Sequence, residues 1–173
     1  SWGHAMIVSP WGEIMAEVGL PVPDGFCVTT TACGLYLEQT GLLGAIGEHI
    51  AQISLKDKEE LNRASLAIKA KIMDASWPDA VARAILEAYD ALERRAGGGA
   101  GQAMRVSVRS SAVGEDGDFS FAGQYATFLN VRAPEVEDRY REVVASLFTP
   151  RAIFYYRTKG FQEEEMAMAV GVM

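Results

Sequence analysis

The chain has 173 residues, of which 49% are hydrophobic and 23% charged, with a formal net charge of -7. That length and apolar content suit one globular domain able to bury most of its apolar surface. The acidic balance argues against a nucleic-acid partner, whose phosphate backbone needs a basic face. No apolar run approaches the length of a membrane span, and the two cysteines, Cys27 and Cys33, lack metal or CxxC spacing. Free buried thiols in a reducing cytoplasm are the expectation.

Near the start, Ile14, Met15 and Val18 would line one side of a short helix ending at Gly19. Pro21 and Pro23 then force an extended segment, since proline lacks a donor and restricts its neighbour. Phe26 to Thr29 reads as a short strand. Thr29 to Thr31 offer caps for a helix running to about Gln39, stopped by Gly41.

Ser54 to Met73 carries Leu61, Ser65, Ile68 and Ile72 at helical spacing. Ser76-Trp-Pro-Asp79 resembles a helix start, followed by a buried stripe of Val81, Ile85, Ala88 and Leu92. Gly97 to Gly101 reads as a flexible connection. From Met104 the pattern changes period: Met104, Val106 and Val108 alternate with Arg105, Ser107 and Arg109. That predicts a half-buried strand with both arginines on its open face.

A polar loop follows, and Tyr125 to Val131, rich in aromatic and β-branched residues, predicts a second strand. The loop between them holds Ser110, Ser111, Gly114, Gly117, Ser120 and Gly123. Small residues let backbone N–H groups approach an anion, and a guanidinium at the mouth of such a loop suits phosphate. The competing reading is a plain surface loop.

Pro134 opens a helix with Val136, Tyr140, Val143 and Leu147 inward. Thr149-Pro150 caps another that carries Ile153, Phe154 and Arg157. Glu163 to Glu165 are expected to be exposed. Met166 to Met173 reads as a largely buried strand. An apolar terminal strand of this kind invites two readings: a longer parent that continues beyond it, or a homodimer formed along an exposed edge. The expected class is α+β, with a helical N-terminal part and a small mixed or antiparallel sheet flanked by helices.

The order of residues is more specific than the composition. Val108-Arg-Ser-Ser-Ala112, Ser120-Phe-Ala-Gly-Gln124 and Thr127-Phe-Leu-Asn-Val131 follow Gly19-Leu-Pro-Val-Pro-Asp-Gly-Phe-Cys-Val-Thr-Thr30. Together they resemble the N-terminal nucleotide-binding domain of the phosphoenolpyruvate synthase and pyruvate phosphate dikinase family. The resemblance runs from about Trp11 to the C-terminus. It implies an incomplete ATP-grasp domain: residues 1–173 as the N-terminal portion, with the second half of the grasp beyond Met173.

In that family ATP phosphorylates a histidine carried by another domain, which delivers the phosphoryl group to pyruvate. The resemblance places the family's catalytic, phosphate-holding arginine on Arg109, its loop glycine on Gly123 and its threonine on Thr127. Ser110, Ser111 and Gln124 match the motif and would shape the ATP pocket. It also implies Mg²⁺ with ligands outside this chain. Glu115 and Asp116 are more simply read as salt-bridge partners, and His4 and His49 match no carrier motif. Val8 stands where the family carries a phosphate-binding lysine. That departure supports a second reading, a degenerate nucleotide-binding or regulatory module. A third is the ATP-binding part of an enzyme similar to rifampin phosphotransferases.

Overall fold

The structure, a computed structural model, describes residues 5–8, 14–18, 24–96, 104–112, 126–159 and 168–173. Its first two elements are strands, β1 (Ala5–Val8) and β2 (Ile14–Val18), paired antiparallel from Ala5 opposite Val18 to Val8 opposite Ile14. The helix expected from Ile14 to Val18 is therefore a strand. Five residues are too few to repay helix nucleation, and β-branched Ile14 and Val18 favour the extended chain.

The strand β3 (Phe26–Val28) follows. A Cβ on Gly25, just before it, would sit 2.5 Å from the Val172 carbonyl oxygen and 2.7 Å from Cγ of Met173. Only glycine lets the chain enter the sheet that closely. Thr29 then caps α1 (Thr30–Gln39), its side chain accepting from the Ala32 N–H at 3.4 Å. Gly41 adopts φ +68°, a left-handed turn that ends α1 and opens α2 (Leu42–Gln52). The sequence reading had no element here. Leu42, Ile46 and Ile50 form its buried face at helical spacing.

In α3 (Lys58–Asp74), Leu61, Ser65, Ile68 and Ile72 are buried, as their spacing predicts. The helix starts later than Ser54 because Asp57 caps it, accepting from the N–H groups of Glu59 and Glu60. The hydroxyl of Ser65, buried in the core, donates to the Phe148 carbonyl at 2.6 Å. In α4 (Asp79–Arg95) the inward residues are Val81, Ile85, Tyr89 and Leu92. Tyr89, not Ala88, completes the stripe. Its O–H donates to the Met104 carbonyl at 2.9 Å and so ties α4 to the start of the next strand.

That strand is β4 (Val106–Ala112). It is followed by β5 (Thr127–Val131), a 3-10 turn at 133–135, α5 (Val136–Ala145), α6 (Pro150–Lys159) and β6 (Met168–Val172). Val136, Tyr140, Val143 and Leu147 are all buried, as expected. The main sheet has the order β3-β6-β4-β5, and every pair is antiparallel. The terminal strand is thus central, paired on both sides. It offers no edge for a second copy, which corrects the edge-pairing route to a homodimer.

The sheet is one-sided. Val28, Val106, Val108, Val131, Met168, Val170 and Val172 are buried on one face, with α5 and α1 packed on it and α3 behind α5. Each such side chain removed from water stabilises by roughly 1.5–3 kcal/mol before entropy is subtracted. Among the described residues no helix is long and apolar enough to cross a membrane. Cys33 is buried, whereas Cys27 is exposed, against expectation, because strand alternation turns it away from the core.

Behind the sheet an aromatic cluster joins three helical segments. Trp77 lies between Tyr36 and Tyr140, with ring centroids 4.9 and 5.0 Å apart, and the Arg141 guanidinium sits 5.6 Å over the Trp77 ring. Tyr36 donates to the Ile72 carbonyl at 2.6 Å, and Arg141 donates to the Met73 carbonyl at 2.9 Å. Burial pushes the Tyr36 phenol up to about 12, with the Arg141 charge opposing it. Burial pushes Tyr140 up as well. A phenol raised in the folded state contributes stability that is full below its ordinary value of 10.0 and is lost as pH rises toward 12. Urea unfolding should therefore show stability falling across that window, and Tyr36→Phe should flatten part of the fall. Parallel profiles for the two proteins would remove Tyr36 as a cause.

Candidate functional site

The alternation of β4 decides which groups face outward. Val106 and Val108 are buried, whereas Arg105, Arg109 and Ser111 are exposed on the opposite, open face. Register then decides their neighbours. Arg109 pairs with Thr127 of β5 on one side and with Gly171 of β6 on the other, and Gly171 pairs with Cys27 of β3. Directly opposed residues of antiparallel strands share a face, with Cβ atoms about 5 Å apart. The open face thus carries a transverse row of Cys27, Gly171, Arg109 and Thr127.

Arg109 is exposed and has no ion-pair or hydrogen-bond partner among the described residues. Arg105 behaves differently. Its guanidinium donates to the Asn130 carbonyl at 3.4 Å. There β5 carries a bulge, with Leu129 and Asn130 opposite Ser107 alone and Asn130 at φ +60°. Asparagine tolerates that left-handed geometry better than most residues.

Two contacts fix the position of Thr127. The Ala126 N–H donates to the Ser146 hydroxyl at 3.2 Å, and that hydroxyl donates to the Val143 carbonyl at 2.6 Å. The Arg139 guanidinium lies 5.0 Å over the Phe128 ring. The C-terminal end of α5 therefore anchors the strand that presents Thr127 beside Arg109.

The structure brings Arg109, Ser111 and Thr127 to one face. Ser110 lies on the other, half-buried and paired with Val170. Gly123 and Gln124 lie outside the described residues, as do Glu115, Asp116 and Glu163 to Glu165. Val8 ends β1 opposite Ile14. Sequence reasoning missed Ser146 and Gly171. The small-large alternation of Met168 to Val172 signals which face Gly171 occupies, but only the register shows that it adjoins Arg109. Among the described residues, no group of three or more His, Cys, Asp or Glu side chains could hold a metal ion.

An exposed guanidinium with no bonded partner among the described residues, flanked by a hydroxyl and a glycine, is suited to an anionic ligand. Residues 5–173 match the family described as pyruvate phosphate dikinase, AMP/ATP-binding domain. The chain belongs to that family. This AMP/ATP-binding domain is 39% identical over 160 residues to a probable phosphoenolpyruvate synthase of Methanocaldococcus jannaschii, covering 91% of this chain and 13% of that protein. It is 39% identical over 163 residues to a probable phosphoenolpyruvate synthase of Methanothermobacter thermautotrophicus, covering 93% and 23%. With the phosphoenolpyruvate synthase of Neisseria meningitidis the identity is 37% over 160 residues, covering 91% and 20%. The chain spans less than a quarter of the length of these relatives. Their common name favours neither the antibiotic-phosphorylating reading nor the degenerate module.

Because no described residue bonds to the Arg109 side chain, Arg109→Ala should change folding stability by less than about 0.5 kcal/mol. Urea denaturation with an unchanged slope would check this. A loss above 1.5 kcal/mol, roughly three times that bound, would show Arg109 to be a structural residue.

Proposed function

We propose that this AMP/ATP-binding domain holds ATP against the open face of its four-stranded sheet, with Arg109 on the phosphates. The observation that carries the proposal is the exposed, outward Arg109 beside Thr127, without a bonded partner among the described residues, in a chain of an AMP/ATP-binding family. The planar guanidinium offers two charge-assisted bonds to phosphate oxygens, and the Thr127 and Ser111 hydroxyls add donors on the same face. Gly123 and Gln124, assigned by their place in the motif, would complete the site. Ser110, on the far face, would contribute only at the end of its strand.

In this reading residues 1–173 form one domain, the first part of an ATP-grasp arrangement in a longer cytoplasmic protein. The antiparallel sheet supports it, because the face that no described helix covers offers a second lobe something to close upon. Bound ATP supplies the phosphoryl group, which passes to a carrier histidine of another domain and from there to pyruvate. Arg109 orients the phosphates and offsets charge that develops during transfer. Mg²⁺ would arrive with the nucleotide, held by carboxylates beyond the described residues.

Isothermal titration of the full natural protein with ATP and Mg²⁺ tests the proposal. Arg109→Ala should weaken binding by about 1.5–3 kcal/mol, roughly 10- to 150-fold in Kd. Equal affinities in variant and wild type would remove Arg109 from the site. A wild-type protein that fails to bind ATP would remove the function.

A further inference from the structure

Among the described residues nothing requires Gly171 to be glycine. Gly25 is required by a close approach and Gly41 by its left-handed φ. By contrast, among the described residues a Cβ on Gly171 would meet only the Arg109 carbonyl oxygen, at 4.0 Å, which is ordinary contact. Its φ is not in the left-handed region either. It sits inside a central strand, paired to Arg109 on one side and Cys27 on the other. Glycine in a strand interior is destabilising relative to alanine. A β-branched residue would fit the pleat and stabilise it. The fold therefore forgoes stability at one of the two positions that adjoin Arg109 on the open face.

Glycine within a strand often marks a place where a ligand approaches the backbone closely. The side chains on the core face of β6, Met168, Val170 and Val172, are large and buried, while Ala169 and Gly171 on the open face are small. We propose that Gly171 is a clearance position. The nucleotide held at Arg109 crosses the sheet over the bare backbone of Gly171 and approaches Cys27, two strands and about 10 Å from Arg109. This inference rests on the ATP site proposed above and adds the direction in which the ligand lies. Gly171 acts by leaving space, so it is a positioning residue.

Two measurements on the full natural protein test it. In the first, Gly171→Ala and Gly171→Val are compared with wild type for melting temperature and for ATP affinity. The expected result is a melting temperature equal to or above wild type, with Kd raised more than tenfold in the valine variant and less in the alanine variant. A purely structural role would instead lower the melting temperature and spare affinity. In the second, alkylation of Cys27 in wild type is followed by peptide mass mapping. Cys27 is exposed and Cys33 fully buried, so the folded protein reports on Cys27. Saturating ATP should slow its labelling several-fold. If Gly171→Val binds ATP as wild type does, or if Cys27 labels equally fast with ATP bound, the clearance role is overturned while the Arg109 site stands. If Arg109→Ala binds ATP undiminished, both fall together.

Discussion

The antiparallel pairing of β4 with β6 sets the geometry of everything outward of the core. It runs from Ser107 opposite Met173, which exchange N–H···O bonds of 2.7 and 3.1 Å, to Ala112 opposite Met168. Because side chains alternate along a strand, a slip of one residue would carry Arg109 into the core and Val108 into solvent. Burial of Val108, Val170 and Val172 forbids that slip. The hydrophobic face thus fixes the register, and the register fixes which polar groups meet. Arg109 is presented outward between Thr127 and Gly171 as a consequence of where the valines must go.

The same economy governs the rest of the sheet. One face is covered by α5 and α1, and among the described residues the opposite face carries a cation with no bonded partner, hydroxyls, a thiol and a glycine. Supporting contacts lie on the covered side. Ser146, at the end of α5, holds the entry to β5, and Tyr89 holds the entry to β4. Both strands of the site are therefore tethered at their starts by helical segments.

Much of this was legible in the sequence, and the limits have physical causes. The helical stripes of α3 and α5 and the alternation of β4 are carried by large apolar residues at a clean period, and these elements stand where the pattern puts them. Residues 14–18 misled because Ile14, Met15 and Val18 fit a helical face, whereas antiparallel pairing with residues 5–8 makes them a strand. In α2, Gly44 and Gly47 break up the pattern, although Leu42, Ile46 and Ile50 are spaced four apart. Ala88 yielded to Tyr89 because a tyrosine can bury its ring and still hand its hydroxyl to a backbone carbonyl. Arg109 and Thr127 were found as motif residues, but their adjacency to each other and to Gly171 belongs to strand pairing across a long sequence separation. No local pattern records that.

The central claim is that Arg109 holds nucleotide phosphate on the open face of the sheet. A crystal structure of the full natural protein with a non-hydrolysable ATP analogue tests it most directly. The account predicts Arg109 guanidinium nitrogens about 2.7–2.9 Å from phosphate oxygens, with the analogue lying on the face that carries Thr127. An analogue bound elsewhere, with Arg109 still directed into solvent, would contradict it.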